Sequence, residues 1–326
     1  MIISKTPLRV SFAGGGSDFA DYYKNNYGAV LSTTINKYVY IIINKRFVDG
    51  IRVGYSEIEE VKNIDEIKHN LVRESFKLTS IKKGIDIFYM SDLLPAHEGS
   101  GLGSSSALLV GTLNVLYAHL GKYVSPETLA KEACKIEIDV LKSPIGKQDQ
   151  YATAYGGINF IQFNSDESVV VNPITLKKET KKELNNNLLL FYTGINTNSQ
   201  VVLKEQVNKT KNNMPMLDKM VKLAEELRDS LRNQDLTEFG NILNKNWEYK
   251  KSLSSQISSS LINSYYEKAI NAGALGGKIL GSGGGGFLLF YCEDKHKEKL
   301  RKALSNLKEM EFSFESQGSK IIYVGD

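Results

Sequence analysis

The stretch EGSGLGSSSALLVG at residues 98–111 combines glycines, hydroxyls and the start of an apolar run. Gly99, Gly101 and Gly103 alternate with Ser100 and Leu102, and Ser104, Ser105 and Ser106 follow. Glycine opens backbone conformations that other residues avoid, at a cost in folding entropy. The continuation SALLVGTLNVLYAHLG reads as a helix. A flexible turn leading into a helix presents free N–H groups and the positive end of a helix dipole, which suits an anion such as phosphate. The lysine-bearing phosphate loop is not matched, because residues 99–106 contain no lysine. The dinucleotide fingerprint fails too, because Ser104 stands where its third glycine belongs. The stretch therefore reads as a cradle of amides and hydroxyls whose cationic partner lies elsewhere. The plainer alternative is a glycine turn with a helix cap.

Two more glycine clusters exist. Gly14, Gly15 and Gly16 end the apolar stretch PLRVSFA, and Gly281 with residues 283–286 precedes FLLFY. Three such clusters, each bordering an apolar strand or helix, suggest backbone packed against a ligand or against itself rather than three unrelated loops. A carboxylate stands near them in SPETLAKEACKIEIDVL. Ser125 and Pro126 start a helix there, and Leu129, Ala133, Ile136 and Val140 form its apolar stripe. Glu137 falls at the edge of that stripe, about 60° from Val140 at helical spacing, placed to enter a cleft or to be solvated.

The elements that would position these groups alternate in type. Residues 2–14 read as a strand, and residues 17–26 as a short helix capped by Ser17. Residues 28–47 read as two strands, residues 63–79 as a helix and residues 84–93 as a strand. Three strand-like runs at residues 156–194 follow, interrupted by a polar run at 179–187 that reads as a loop and domain junction. Helices at residues 214–233 and 236–254 come next, then a helix at 259–273, a strand at 287–293, a helix at 294–307 and a final strand at 320–325. The second half reads as helices around a small sheet, an α+β arrangement.

With 326 residues, 41% hydrophobic and 24% charged, the chain is long enough for one large or two ordinary globular domains. A net charge of +4 spread along the chain is not a nucleic-acid footprint, so no nucleic-acid partner is expected. Two cysteines without a CxxC pair, and only four histidines, argue against zinc. No apolar run is long enough to span a bilayer, and residues 1–16 lack the order of a signal peptide. No membrane partner and a cytoplasmic location are expected. Oligomeric state has no local signature.

The three glycine motifs, PLRVSFAGGGSDF, GSGLGSSSA and KILGSGGGGF, resemble in content and order the three motifs of the GHMP small-molecule kinases. The resemblance implies an α+β, two-domain GHMP kinase-like fold. It has an N-terminal ribosomal-protein-S5-domain-2-like domain (residues 1–180), a C-terminal ferredoxin-like domain (residues 181–326), and the active site between them. It implies ATP as phosphoryl donor, wrapped by Gly99, Ser100, Gly101, Leu102, Gly103, Ser104, Ser105 and Ser106. Mg2+ would be held by Ser105 and Glu137, and would supply the positive charge that the missing lysine does not. Asp149, in GKQDQYATAYGG, would act as base toward the acceptor hydroxyl or orient it. Arg9 would stabilise charge on the transferred group, without shuttling a proton. Gly15, Gly16, Ser17, Asp18, Lys147, Gly283 and Gly284 would line the acceptor site, with Asp18 on a sugar hydroxyl.

The galactokinase pattern has a Glu-His pair where Gly15 and Gly16 stand, which argues against galactose. Together with WEYKKSLSSQIS, the motifs resemble the branch of the family that phosphorylates heptose 7-phosphates at the anomeric hydroxyl, with L-fucose kinases as the alternative. The implied partner is a small-molecule sugar phosphate. Lys147, Lys250 and Lys251 are candidates for its phosphate, and Lys278 for either that role or support of the third loop. A sugar- or nucleotide-binding regulator that had lost catalysis would show erosion of Asp149, Glu137 or the serine loop, and all three are present.

Overall fold

The computed structural model describes residues 1–93 and 100–325. Two antiparallel-rich sheets organise it. The first contains β1 (Ile2–Ala13), β2 (Gly28–Lys45), β3 (Ile51–Gly54), β4 (Ile58–Val61), β5 (Ile85–Ser91), β6 (Ile158–Phe163) and β7 (Val169–Pro173). The second contains β8 (Leu188–Tyr192), β9 (Gly276–Ile279), β10 (Phe287–Tyr291) and β11 (Lys308–Glu309), in the order β11-β8-β10-β9. The last strands, β12 (Phe314–Glu315) and β13 (Lys320–Val324), return to the first sheet, where they pair β2 and β1. The division expected at residue 180 is thus not clean, because the C-terminal segment completes the N-terminal sheet.

The helices are α1 (Ala20–Tyr23), α2 (Asn70–Thr79), α3 (Ser104–His119), α4 (Pro126–Cys134), α5 (Gln148–Tyr155), α6 (Lys178–Asn187), α7 (Ser199–Arg232), α8 (Leu236–Ser252), α9 (Ser260–Asn271) and α10 (Asp294–Ala303). Phe12 of β1 meets Phe239 of α8 edge-on, with ring centroids 5.2 Å apart, so one core runs between the two halves.

Several local expectations change. β2 is one strand instead of two, because β1 pairs it along most of its length. β6 takes the other side of residues 28–33 and β5 that of residues 39–45. The helix expected from residue 63 begins at Asn70, because the Glu59 carboxylate accepts the amides of Lys68 (2.6 Å) and His69 (3.2 Å). Residues 178–187 are a helix, not a loop. Thr180, Leu184 and Asn187, spaced i, i+4 and i+7, bury one stripe in an otherwise polar run. α7 begins at Ser199 and continues through Pro215, which removes one helix bond, because the buried stripe of Leu217, Met220, Val221, Ala224 and Leu227 holds the helix across it. Ser17 does not cap α1. Its hydroxyl bonds the carbonyls of Gly14 and Ala29 and closes the turn onto β2.

Candidate active site

The first two glycine clusters meet through one side chain. Arg9 projects from β1 and is 4% exposed. Its Nε and Nη2 donate to Asp149 Oδ1 and Oδ2, both at 2.6 Å, and its Nη1 donates to the Gly101 carbonyl. The Arg9 amide also donates to the Leu102 carbonyl at 3.0 Å, which lays the glycine loop along β1. Asp149 stands in the first turn of α5, three-quarters buried. A bidentate Arg–carboxylate pair of this kind is strong and fixed in direction.

The glycine loop meets the third cluster. A Cβ at Gly101 (φ +78°) would lie 2.5 Å from the Leu280 carbonyl oxygen, and one at Gly281 would lie 2.5 Å from the Gly101 Cα. Only glycine permits that approach, so the glycines allow two loops to pack directly. Gly103 takes a left-handed conformation as the cap of α3. Ala107 is the first amide to find a carbonyl of the turn, that of Gly103 at 2.9 Å. The amides of Ser104, Ser105 and Ser106 precede it at the positive end of the helix. Ser100 and Ser104 hydroxyls lie 3.1 Å apart. Gly99 lies outside the described residues.

Glu137 is 3% exposed and is gripped by Ser105 Oγ (3.2 Å), Ser106 Oγ (2.8 Å) and Gln150 Nε2. It is not on a stripe edge as the α-helical spacing predicted. Residues Lys135–Val140 form a π-helical turn, with Leu141 N bonding Ile136 O at 3.0 Å. The wider turn shifts the frame, turning Glu137 inward and leaving Val140 half exposed. Burial pushes its carboxyl up to about 7, against the hydrogen bonds that favour the charged form. All three of its donors are neutral. A buried carboxylate with hydroxyls beside it and no cation among the described residues is a donor set that fits Mg2+, an oxygen-seeking ion.

The first cluster is fastened to this centre by Asp18, which is 2% exposed. Its oxygens accept from the Gly16 amide (2.9 Å), the Gln148 amide (3.2 Å) and Gln148 Nε2 (3.0 Å). Burial raises its pKa, and the nearby Asp149 charge adds to that. These bonds tie the first turn to α5. Ser17, fully buried, likewise serves the turn. Lys147 turns to the Glu167 carbonyl (3.3 Å) and lies over the Tyr23 ring. Gly283 and Gly284 pack on residues 256–257, with the Gly284 amide bonding Ile257 O at 2.8 Å. Gly15 is different: a Cβ there would meet nothing closer than 3.5 Å.

Sequence reasoning missed Gln148, Gln150, Ser11 and Gln206. Buried Ser11 Oγ, Gln148 Oε1 and Gln150 Oε1 have no hydrogen-bond partner among the described residues, and all adjoin this centre. Of the lysines, Lys251 pairs with Glu248 on the α8 surface. Lys250 and Lys278 point inward, Lys250 Nζ to Gln206 Oε1 (2.7 Å) and Gly15 O (3.4 Å), Lys278 Nζ to Ser11 O (2.8 Å).

The glycine loop at the α3 N-terminus and the Arg-bound carboxylate share one guanidinium, and the family and relatives make the protein a small-molecule kinase, a phosphotransferase with an alcohol as acceptor. Residues 65–157 match the GHMP kinases N terminal domain and residues 227–309 the GHMP kinases C terminal, and the chain belongs to the GHMP kinase family, which uses ATP as phosphoryl donor. It is 31% identical to the D-glycero-alpha-D-manno-heptose 7-phosphate kinase of Campylobacter jejuni, over 98% of each chain. It is similar to the crystal structure of a D-glycero-D-manno-heptose 1-phosphate kinase from Bacteroides thetaiotaomicron, with TM-score 0.83, 27% identity and full coverage of both chains. A third relative, the L-fucokinase/L-fucose-1-P guanylyltransferase of Bacteroides fragilis, is 24% identical over 94% of this chain and 36% of that protein.

Proposed function

We propose that the protein transfers the γ-phosphoryl group of ATP to the anomeric hydroxyl of D-glycero-D-manno-heptose 7-phosphate, giving the 1,7-bisphosphate that nucleotide-activated heptose synthesis consumes. Both heptose kinase relatives carry a phosphate on the named substrate, and both cover essentially the whole chain. The observation that carries the reading is the two-bond grip of Arg9 on Asp149 beside the glycine loop.

In this reading the amides of residues 100–106 receive the ATP phosphates. Asp149 orients the acceptor hydroxyl and accepts its proton as the oxygen attacks, a role that contributes about 10²–10⁴-fold. Arg9 fixes the carboxylate direction and offsets negative charge on the group in transfer. Ser105 and Glu137 would hold Mg2+, which would neutralise triphosphate charge. Gly15 leaves room for the acceptor, and Ser11 Oγ and the Gln148 side-chain amide face that room. Domain division follows function: the first sheet and α3–α5 carry nucleotide and base, and α7, α8 and the third loop close the site.

The test is an acceptor panel with ATP and Mg2+, comprising heptose 7-phosphate, heptose 1-phosphate, unphosphorylated heptose and L-fucose, with product position assigned by phosphorus NMR. Phosphorylation at C1 of the 7-phosphate is expected. Turnover of L-fucose alone would move the protein to the fucose branch and reject the heptose reading.

A further inference from the structure

Two buried lysines beside the Gly14–Gly16 turn form no ion pair among the described residues. Lys250 is 5% exposed, and its ammonium bonds only the neutral oxygens of Gln206 and Gly15. Lys278 is 3% exposed and bonds only the Ser11 carbonyl. The remaining buried lysine among the described residues, Lys297, has a carboxylate at 3.0 Å, that of Asp294. Burying an ammonium without an anion is costly, and proteins otherwise avoid it by pairing. The charged groups facing Lys250 are Asp18 and Lys278. The Asp18 charge only partly offsets that burial, and Asp18 makes no ion pair with Lys250, its oxygens accepting from Gly16 and Gln148.

The turn beside this lysine carries two side-chain-free positions, Gly15 and Gly16, with Leu217 and Leu253 on the Gly16 side and polar groups on the Gly15 side. A Cβ at Gly16 would lie 3.9 Å from Lys250 Nζ. One at Gly15 would meet only the Gln148 amide and Ser11 Oγ, at 3.5–4.0 Å. Ser11 Oγ and Gln148 Oε1 are both unpartnered. Gln206 holds Lys250 through a side chain that also donates to the Ser282 carbonyl (2.9 Å), so one rotation frees the ammonium and loosens the third loop together.

We propose that Lys250, backed by Gln206, is the specificity-determining residue that receives the phosphate already carried by the acceptor. The assignment rests on the proposed sugar-phosphate acceptor. The incoming phosphate replaces the Gln206 carbonyl oxygen on the ammonium and gives the buried cation its missing anion, a charge-assisted contact stronger than the one it displaces. Lys278 stays on Ser11 and adds fixed positive charge behind β1.

Steady-state kinetics of the full chain test this, with ATP and with heptose 7-phosphate or the same heptose without phosphate. Lys250→Met should raise KM for the sugar phosphate by about 100-fold. KM for ATP should stay within about twofold, and Lys250→Arg should recover part of the loss. Lys250→Gln, which keeps a donor for Gln206 without charge, is the second variant and should show the same loss. A KM for the sugar phosphate within about threefold of wild type in a folded Met or Gln variant overturns the assignment. So does a selective rise in KM for ATP, which would give the lysine to the nucleotide. A wild-type protein that phosphorylates only unphosphorylated sugars overturns the acceptor reading as well, so the two failures are distinguishable.

Discussion

Arg9 and Asp149 form a closed fork, two bonds of 2.6 Å from one guanidinium to one carboxylate, across 140 residues of chain. The third arm of the same guanidinium holds the Gly101 carbonyl. One buried side chain thus sets both the direction of the candidate base and the position of the glycine loop.

Asp149→Asn should keep the loop and lose the chemistry. Turnover should fall about 10²–10⁴-fold, because an amide cannot take the proton. ATP affinity should change little, since the loop amides are untouched. Equal losses of turnover and ATP binding would show that the pair only holds the fold together. Arg9→Lys should also be poor, because an ammonium cannot form two parallel bonds to a carboxylate.

Direct packing of the second and third glycine loops predicts different costs for two similar substitutions. Gly101 and Gly121 have φ of +78° and +69°, so alanine is strained by the same mechanism at both. At Gly121 the added methyl meets nothing within 4 Å, and at Gly101 it meets the Leu280 carbonyl oxygen at 2.5 Å. Gly101→Ala should therefore destabilise by about 1–3 kcal/mol more than Gly121→Ala in denaturant titrations. It should also raise KM for ATP. Equal stability losses would mean that the loops do not meet.

Glu137→Gln separates metal binding from folding. The native carboxylate is buried among neutral donors, and that burial raises its pKa to about 7. Removing the charge should leave thermal stability in EDTA unchanged or higher, because no anion has to be desolvated. Activity should nevertheless drop by about 10²-fold or more, with a shifted Mg2+ dependence, since a metal ligand is gone. A variant with an unaltered Mg2+ titration would remove Glu137 from the metal site.

The glycine loop and the position of Glu137 were legible from local spacing, whereas Arg9 and Asp149 were legible through the resemblance of their motifs to the GHMP kinases; the structure brings all four together. Their consequences were less so. The inward turn of Glu137 depends on a π-helical turn that α-helical spacing cannot express. The continuity of α7 through Pro215 depends on packing that outweighs a lost bond. Residues 178–187 look like a loop until Thr180, Leu184 and Asn187 are seen to share a buried face. The return of β13 to β1 joins partners more than 300 residues apart, as in Ile2 with Val324, and no local signal carries it. Lys250 and Lys251 are indistinguishable as neighbours in sequence, yet one is buried beside the Gly14–Gly16 turn and the other pairs with Glu248 outside.

Lys250 also gives stability a defined dependence on pH. Burial lowers its pKa to about 8, from the ordinary lysine value of 10.5, with the Asp18 charge acting in the opposite direction. Below pH 8 both folded and unfolded states carry the proton, and the folded state bears the full cost of burying it. Between pH 8 and 10.5 the unfolded chain holds the proton and the folded protein does not, so this group adds stability as pH rises. Lys278, lowered in the same direction by burial, acts with the same sign. Lys250→Met leaves no ammonium to bury, but orphans Gln206 Oε1 at a cost of about 1–3 kcal/mol, so the sign of its effect at pH 7 is a balance of two terms. The trend is not. The Tm of the Met variant relative to wild type should change little up to about pH 8 and then decline as pH is raised toward 10.5, read by thermal melts in matched buffers. A Tm difference that stayed constant over that range would mean that the folded protein keeps Lys250 protonated throughout, and that its ammonium is better solvated than its burial implies.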